Sequence, residues 1–209
     1  MRPRVCVIGT GWAGVSVAKY LDMKAVSLTV LSIRNHFVFT PLLPQTCTGT
    51  LEFRAVCDPV INIQPALAQS PHFFYNCMVG GVDFKAKKVL CAAADTSYGK
   101  VRGEKSVQAF EVEYDYLIMA HGARANTLGI PGVEENAFFL REIYEARAIR
   151  RHLLQNILMA RLPSTSYEER KRLLSVVVVG GGPTGVEFAA DLADFLYQDI
   201  NKRSVTSSW

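Results

Sequence analysis

The first 32 residues alternate short β-branched runs with apolar residues at helical spacing. Residues 4–8 form a β-branched run that ends at a glycine, and apolar residues recur at helical spacing over residues 12–21. Residues 28–32 have the composition of a second strand. Because this order and length suit two parallel strands joined by a helix, residues 4–32 predict a βαβ unit.

Residues 36–65 show little periodicity, and strand-like runs then follow as far as residue 119. Residues 36–65 contain four prolines and predict a loop, with a short helix after Gly49-Thr50. Polar segments at residues 84–87 and 95–105 separate the runs that follow. These runs predict a small antiparallel layer inserted into the parallel unit, with strands at residues 73–83, 88–92 and 110–119.

Helical spacing returns near Leu140. Apolar residues recur there every three or four positions as far as residue 160, and Pro163 ends the predicted helix. A second short helix follows, whose capping box is either Thr165-x-x-Glu168 or Ser166-x-x-Glu169.

A further strand, turn and helix are predicted near the end of the sequence. Residues 175–179 are apolar on both faces, as in a central parallel strand, and a glycine-rich turn then leads into a helix over residues 186–196. The predicted fold class is α/β. It is a Rossmann-like fold whose parallel sheet carries a small antiparallel insertion, followed by an incomplete second Rossmann unit.

Composition restricts the functions open to such a fold. The 209 residues include 23 Lys and Arg against 19 Asp and Glu, a formal charge of +4, and 49% are hydrophobic, which excludes a disordered chain. The basic residues form no stripe that could follow a phosphate backbone, so we expect no nucleic-acid partner. No apolar run is long enough for a membrane span. Unless the true start lies upstream, we expect no targeting segment, because the first strand begins by residue 4 or 5.

The cysteines give no sign of a metal site. There are five of them, far apart and without a CxxC pair. This pattern favours a reducing compartment and argues against a zinc site or a disulfide framework, so we expect no metal.

The first glycine turn carries specific chemistry. Gly9-Thr-Gly11-Trp12-Ala13-Gly14 fits G-x-G-x-x-G directly after a strand and opens a helix. In such a turn the first glycine allows the tight bend, the second lets a pyrophosphate approach the backbone, and the third brings the helix close to the strand. Because free N–H groups and the positive dipole end of the helix attract an anion, we predict a dinucleotide site here. An ordinary glycine turn is the alternative.

The residue after the second strand departs from the usual Rossmann pattern. An acidic residue there normally binds a ribose hydroxyl, whereas this chain has Ser32. Ser32 can still bond a ribose, and Arg34 can meet a phosphate. An ordinary strand end and a solvated arginine are equally good interpretations.

A second glycine turn, Gly180-x-Gly182-Pro183-Thr184-Gly185, repeats the pattern. Two such turns imply two dinucleotides, in the usual pairing of FAD in the first and NAD(P) in the second. Glu187, in the first turn of the next helix, is a candidate catalytic residue, but a surface glutamate that stabilises the helix dipole is as good an interpretation. Between the turns, Gly122 follows a strand and would let a flavin nucleotide pass closely, while His121 is expected to be incidental.

Several longer strings have the sequence of one known family. They are Gly9-Thr-Gly-Trp-Ala-Gly14, Arg34-Asn-His-Phe-Val-Phe-Thr-Pro-Leu-Leu-Pro44, Gly49-Thr50, Tyr114-Asp-Tyr-Leu-Ile118, Ile130-Pro-Gly-Val133, Phe139-Leu-Arg-Glu142 and Val177-Val-Val-Gly-Gly-Gly-Pro-Thr-Gly-Val-Glu187. Through them the chain resembles the type II NADH dehydrogenases of the mitochondrial branch, which are flavoproteins like the pyridine nucleotide-disulphide oxidoreductases. Members of this branch are single-subunit, non-proton-pumping NADH:quinone oxidoreductases, and Ser32 in place of the acidic residue suits the branch.

The resemblance implies two cofactors and their sites. FAD would be held by Gly9, Gly11, Trp12, Ala13, Gly14, Ser32, Arg34, Pro41, Leu42, Leu43 and Gly122. NADH would lie on Gly180, Gly182, Pro183, Thr184 and Gly185, with Glu187 as the catalytic residue. The resemblance also implies a quinone as electron acceptor, peripheral association with the mitochondrial inner membrane, and a homodimer.

The resemblance divides the chain into three parts. Residues 1–135 are predicted to be the N-terminal portion of an FAD-binding domain, residues 136–174 a helical connection, and residues 175–209 the incomplete start of an NADH-binding domain. Because family members are considerably longer, we interpret the chain as a C-terminally truncated piece, expected to show little NADH oxidation alone. Residues 203–209 do not resemble the family's continuation.

The sequence is also compatible with two other functions. One is a non-catalytic, truncated nucleotide-binding protein. The other is a different FAD/NAD(P)-dependent reductase of the same superfamily. Relatives that reduce disulfides need a redox cysteine pair, and Cys47 has no near partner in the sequence, which counts against that chemistry.

Overall fold

A computed structural model describes residues 2–94 and 109–201 of the chain. The loop predicted at residues 95–105 and the segment 203–209 lie outside these residues. The chain forms two compact units, a first unit within residues 1–38 and 57–124 and a second within residues 39–56 and 125–209.

The first unit is built on a six-stranded sheet with the order β7-β6-β5-β2-β1-β8. Parallel pairing joins β5, β2, β1 and β8, and antiparallel pairing joins β6 to β5 and β7 to β6. A separate antiparallel pair, β3 with β4, was not predicted from the sequence. The strands are β1 (Arg4–Ile8), β2 (Ser27–Ser32), β3 (His36–Val38), β4 (Cys57–Pro59), β5 (Phe73–Asp83), β6 (Lys88–Ala93), β7 (Ala109–Glu113) and β8 (Tyr116–Met119).

Strand β5 joins the parallel and antiparallel parts of this sheet because each of its halves has a different partner. Residues 73–76 pair with β2 in parallel, and residues 77–83 pair with β6 in the antiparallel sense. The β5–β6 register shifts between Val79 and Gly81, which is a β-bulge. The predicted parallel sheet with an antiparallel insertion is therefore confirmed.

The strand predicted at residues 110–119 is in fact two strands, β7 and β8. The break falls at Asp115, whose carboxylate accepts hydrogen bonds from the Arg4 backbone N–H at 2.7 Å and from Arg4 Nη2 at 3.0 Å. The Asp115 N–H in turn donates to Arg4 O at 2.8 Å. The prediction was wrong because a contact between residues distant in sequence decides where the strand turns from β6 towards β1.

The core of the first unit covers both faces of β1, whose side chains alternate between them. One face packs α1 (Trp12–Tyr20), α3 (Val60–Ile63) and the 3-10 turn Pro65–Ala68 against the sheet. The other face packs against the antiparallel strands. The first cluster contains Val5, Val7, Ala18, Leu28, Val30, Val60 and Leu67, and the second contains Cys6, Ile8, Leu31, Cys77, Val89, Cys91 and Tyr114.

The second unit is helical. Its helix α2 contacts both α5 and α7. The elements are the 3-10 turn Thr40–Leu42, α2 (Leu43–Thr48), the 3-10 turn Phe53–Ala55, α4 (Val133–Asn136), α5 (Ile143–Ala160), α6 (Tyr167–Leu173), α7 (Pro183–Asp194) and the π-helical segment Phe195–Asn201.

The short helix predicted after Gly49-Thr50 lies before those residues instead, as α2. Gly49 is its C-cap, with φ of 87° in the left-handed region that a glycine adopts without strain. The glycine therefore ends the helix, and Phe53–Ala55 forms only a 3-10 turn.

Helices α5 and α6 confirm the predicted segments and settle the choice of cap. Helix α5 begins at Ile143 behind a capping box made by Glu142 and Glu145. Helix α6 is capped by Ser166, whose hydroxyl accepts the Glu169 N–H at 3.2 Å. The Thr165 hydroxyl instead donates to Met159 O.

The strand predicted at residues 175–179 does not form. These residues lie outside the helices and sheets of the described chain. Val177 and Val179 are 84% and 93% exposed. The prediction was wrong because a parallel strand needs a hydrogen-bonded neighbour, and no described strand lies beside this segment.

No helix within residues 2–94 and 109–201 is both long and apolar enough to cross a membrane.

Candidate nucleotide-binding site

The first glycine turn connects β1 to α1 and requires glycine at two positions. Gly9 has φ of +109°, and a Cβ there would lie 2.3 Å from the carbonyl oxygen of Ala120. A Cβ on Gly14 would lie 2.0 Å from the carbonyl oxygen of Gly9. These are clashes with backbone atoms, so the turn closes as the sequence pattern predicts only because both residues lack a side chain.

The N-terminus of α1 is open to an anion. Gly11 is its N-cap and supplies no side-chain capping bond, and the first turn has no acidic residue. Trp12 and Ala13 are exposed. A Cβ on Gly11 would come no closer to another group than 3.6 Å, and that group is Nη2 of Arg34. Uncapped N–H groups beside a guanidinium suit a phosphate, so these residues fit the pyrophosphate of a dinucleotide.

Ser32 is the last residue of β2 and lies beside this turn. Its hydroxyl accepts the Arg34 N–H at 3.1 Å and lies 2.9 Å from the hydroxyl of Thr10. Thr10 was missed as a functional candidate because it fills an unspecified position of the glycine pattern. The signal that could have found it was a second hydroxyl near the strand end where the usual carboxylate is replaced. The role of Ser32 towards a ribose stays a prediction.

Three chain segments of the first unit meet at the carboxyl edge of its parallel sheet. Ile8 at the end of β1 is in register with Leu31 of β2 and with Met119 of β8. The glycine turn, Ser32 and the turn after β8 consequently leave the sheet side by side, where open α/β sheets bind their ligands.

The turn after β8 contains Gly122, whose φ is 73°. A Cβ on Gly122 would have no described atom within 4 Å, so the glycine is required by its backbone conformation and not by crowding. His121 is exposed. A close approach of a flavin nucleotide to Gly122 stays a prediction.

The second glycine turn repeats the first in its backbone geometry. Gly180 has φ of +106°, and a Cβ on Gly185 would lie 2.4 Å from the Gly180 carbonyl oxygen. Gly182 is the N-cap of α7 with extended backbone (φ −76°, ψ 172°), close to the Gly11 values of −80° and −169°. No side chain caps α7, and Gly182, Pro183 and Thr184 are exposed. This turn therefore also offers uncapped N–H groups to an anion.

The surroundings of Gly180 differ from those of Gly9. A Cβ on Gly180 would meet no described atom within 4 Å, whereas Gly9 lies against the chain after β8. The second turn thus has the local conformation of a nucleotide turn without strands beside it.

Glu187 lies exposed on α7, while Phe188 and Leu192 of that helix are buried. The negative charge of Glu187 contributes to a raised pKa of Asp191, after burial of that carboxyl and the charge of Asp194. A catalytic role for Glu187 stays a prediction.

Pro41, Leu42 and Leu43 belong to the second unit. Pro41 and Leu42 lie in the 3-10 turn Thr40–Leu42, with Pro41 exposed and Leu42 half-buried. Leu43 begins α2 and is buried, which makes it a packing residue of that unit. Their contact with a flavin stays a prediction.

All five cysteines are free thiols, and four of them are buried. Burial, assisted by the charge of Asp191, raises the pKa of Cys47 to about 12. Burial also raises the pKa of Cys6 and of Cys77 to about 12. These thiols are protonated near neutral pH and are poor nucleophiles. Among the residues that the structure covers, no three His, Cys, Asp or Glu residues are grouped to hold a metal ion.

A parallel sheet with a glycine turn at its carboxyl edge, and a second turn of the same conformation, define a Rossmann-type protein with two glycine turns of the dinucleotide-binding pattern. The chain belongs to the pyridine nucleotide-disulphide oxidoreductase family, whose model matches residues 3–203. The family resemblance found in the sequence is thereby confirmed.

Similar proteins come from mitochondria of plants and yeast. The chain is 46% identical over 205 residues to the internal alternative NAD(P)H-ubiquinone oxidoreductase A1, mitochondrial, of Arabidopsis thaliana, covering 97% of this chain and 39% of that protein. It is 41% identical over 201 residues to the external NADH-ubiquinone oxidoreductase 2, mitochondrial, of Saccharomyces cerevisiae, covering 96% and 35%.

A solved structure supports the fold. NDH2 from Plasmodium falciparum in complex with NADH matches with a TM-score of 0.86 and 33% identity, over 97% of this chain and 39% of that one. The predicted α/β Rossmann-type fold is confirmed. The chain spans 33% to 40% of the length of the curated relatives it matches.

Proposed function

We propose that the chain is the nucleotide-binding N-terminal portion of an FAD-dependent NADH:quinone oxidoreductase of the type II class. The observation that carries the proposal is the open α1 N-terminus, where uncapped N–H groups, a glycine without steric hindrance and Arg34 come together. The names of the relatives, which are NAD(P)H-ubiquinone or NADH-ubiquinone oxidoreductases, support the same activity.

The residues of the first unit would hold FAD. The backbone of Gly11, Trp12 and Ala13 would bind its pyrophosphate, Arg34 would neutralise the phosphate charge, and Gly9 and Gly14 would keep the turn closed. Ser32 and Gly122 line the same sheet edge, and Pro41, Leu42 and Leu43 are proposed flavin contacts from the family resemblance alone. A bound flavin supplies hydride acceptance from NADH and electron transfer to a quinone.

The second turn would bind NADH in the same way. Its pyrophosphate would lie on the backbone of Gly182, Pro183 and Thr184, with Gly180 and Gly185 shaping the turn. Glu187 in the first turn of α7 is the proposed catalytic residue.

The location is proposed from the names of the relatives, and the membrane association and assembly from the family resemblance. They carry mitochondrial names, which favours a mitochondrial protein. We further propose peripheral association of the whole protein with the inner membrane, where a quinone is available, and a homodimer.

One specific observation favours a second candidate, a nucleotide-binding chain without turnover. Residues 175–180 have no strand beside them among the described residues, so the second turn lacks the sheet that normally supports it. On this alternative, the 209-residue chain retains flavin but oxidises little NADH. A disulfide-reducing relative is less favoured because the Cys47 thiol is buried and protonated.

An absorbance measurement tests the proposal. The purified chain should show bound flavin in its visible spectrum at a stoichiometry near one per chain. Bleaching by NADH supports the oxidoreductase, and retained flavin without bleaching supports the non-catalytic alternative. A chain that retains no flavin after reconstitution with FAD contradicts both.

The variant Gly11→Val tests whether the flavin binds at the first glycine turn. The backbone of Gly11 is extended and a Cβ there has 3.6 Å of clearance, so the variant should fold while its side chain blocks the pyrophosphate. Gly80→Val is the matched control, because a Cβ on Gly80 in β5 is 3.9 Å from the nearest group. Flavin should be lost from Gly11→Val alone, and equal retention in both variants would place the flavin elsewhere.

A further inference from the structure

The hydroxyl of Thr10, in the first glycine turn, is buried among polar groups. Thr10 is 1% exposed and Ser32 is 7% exposed. The Thr10 oxygen is 2.9 Å from the Ser32 hydroxyl, 3.2 Å from Arg34 O and 3.4 Å from His36 O. The Arg34 N–H reaches the Ser32 hydroxyl from the other side, at 3.1 Å.

One arrangement of protons makes the Arg34 N–H to Ser32, Ser32 to Thr10 and Thr10 to Arg34 O contacts all hydrogen bonds. A carbonyl oxygen only accepts and a backbone N–H only donates, whereas each hydroxyl has one proton to give. In this arrangement Thr10 gives its proton to the carbonyl side, chiefly to Arg34 O. Ser32 gives its proton to Thr10 and accepts the Arg34 N–H.

These bonds form a closed ring that begins and ends on the backbone of Arg34. The Arg34 N–H donates to Ser32, Ser32 donates to Thr10, and Thr10 donates to Arg34 O. Bonds arranged head to tail in this way polarise and strengthen one another. The ring ties the first glycine turn to the residue whose guanidinium lies 3.6 Å from the Cβ position of Gly11.

We infer that Thr10 is a positioning residue of the nucleotide site, which acts through Ser32 to hold Arg34 beside the phosphate-binding turn. The inference rests on the proposed binding of FAD at that turn. It also gives the substitution of serine for the usual acidic residue a structural reason, since a serine proton completes the ring and a carboxylate has no proton to donate.

The ring changes what Ser32 can offer a ribose. Its proton is directed to Thr10 and one lone pair accepts from Arg34, so only one acceptor position remains. We therefore assign Ser32 mainly to the loop and the anionic part of the nucleotide mainly to Arg34 and the α1 N-terminus.

The variants Thr10→Val and Thr10→Ser separate the contribution of the Thr10 hydroxyl from that of its methyl group. Valine has nearly the shape of threonine but leaves the Arg34 carbonyl and the Ser32 proton without their partner, and serine keeps the hydroxyl. Thermal unfolding without nucleotide identifies a temperature at which all three chains are folded. At that temperature two quantities are measured: FAD binding by flavin fluorescence, and hydrogen exchange of the Arg34 amide without FAD.

We expect Thr10→Val to raise the FAD dissociation constant about tenfold or more and to accelerate Arg34 exchange by a similar factor. Thr10→Ser should stay within about threefold of the unchanged chain in both measurements. If Thr10→Ser binds FAD as weakly as Thr10→Val, the methyl group and not the hydroxyl supports FAD binding, and the inference is overturned. Fast Arg34 exchange with unchanged FAD binding also overturns it, because the ring then positions nothing that the nucleotide uses.

The two proposals fail in distinguishable ways. If the unchanged chain binds no FAD, the proposed function falls and Thr10 positions no nucleotide group. The Arg34 exchange of the variants then still decides whether the ring exists.

Discussion

Gly14 packs directly against the carbonyl group of Gly9, since the Cβ that Gly14 lacks would lie 2.0 Å from that oxygen. Gly185 has the same relationship to Gly180, at 2.4 Å. The repeated contact joins the first and third glycines of each turn, and it exists in the second turn although no strand within residues 2–94 and 109–201 lies beside that turn. It is therefore a property of the local strand-turn-helix conformation.

Gly14→Ala should destabilise the first unit. The added methyl group meets backbone atoms, which cannot rotate away as a side chain can, and α1 must shift from β1. We expect a loss on the order of 3 kcal/mol in the free energy of unfolding, measured by urea denaturation.

Gly11→Ala is the control for that prediction because its Cβ has 3.6 Å of clearance. It should change stability by less than about 1 kcal/mol. Equal losses in the two variants would mean that the contact with Gly9 is not what makes Gly14 necessary.

Asp115 makes the first unit sensitive to acid. Side-chain and backbone hydrogen bonds from Arg4 lower the pKa of the Asp115 carboxyl from 3.8 to about 2. The folded chain thus binds this proton more weakly than the unfolded chain does, so the stabilisation is complete above about pH 4 and is lost as pH falls towards about 2. Asp115→Asn should be less stable near pH 5, and its stability should fall less steeply between about pH 4 and pH 2.

Chemical denaturation at several pH values measures this difference. Glu134→Gln, in α4, is the matched control, and its pH dependence should follow that of the unchanged chain. Parallel acid profiles for Asp115→Asn and the unchanged chain would show that the ion pair with Arg4 contributes no pH dependence.

Glu145 stabilises the start of α5. Its carboxylate accepts the backbone N–H groups of Arg141 at 2.7 Å and of Glu142 at 3.0 Å. Glu145→Ala should cost about 1 kcal/mol of unfolding free energy because those donors lose their partner. Glu145→Gln keeps an acceptor oxygen and should recover most of this loss in urea unfolding. An equal loss in both variants would point to the charge and not to the capping bonds.

Val177 and Val179 should promote self-association. Exposed apolar β-branched residues that belong to no strand of the described chain are a template for pairing with another chain. The double variant Val177→Lys, Val179→Lys should scatter less light on warming. Its free energy of unfolding should change by less than about 0.5 kcal/mol because both side chains are already in solvent.

A control with the same added charge is Gln155→Lys, Ser164→Lys, at two exposed positions. It should scatter light like the unchanged chain. If it suppresses scattering equally, net charge and not the valine segment governs association.

The features that the sequence predicts well are those decided locally. The bounds of β1 and β5 agree with their predicted ranges, because composition and flanking turns specify them. The glycine pattern predicts two turns of the same conformation, because the close contacts of Gly14 with Gly9 and of Gly185 with Gly180 involve residues only five apart. The Ser166 cap is likewise a contact within one helical turn.

The features that were missed depend on distant partners. The break between β7 and β8 follows from Arg4, which is 111 residues from Asp115 in sequence. The four valines before Gly180 have the composition of a strand, but composition supplies no neighbour to pair with. Thr10 gains its importance from Ser32, 22 residues away, and no spacing rule connects the two.

The two-partner strand β5 has a consequence for the order of folding. Its second half pairs with β6 across the short turn at residues 84–87, so this hairpin closes a small loop. The pairing of β8 with β1 joins residues 111 apart in sequence. It therefore requires the closure of a much longer chain segment. We expect the β5–β6 hairpin to form early and β8 to dock late, so that the edge on which the nucleotide turn depends is the last part of the sheet to be completed.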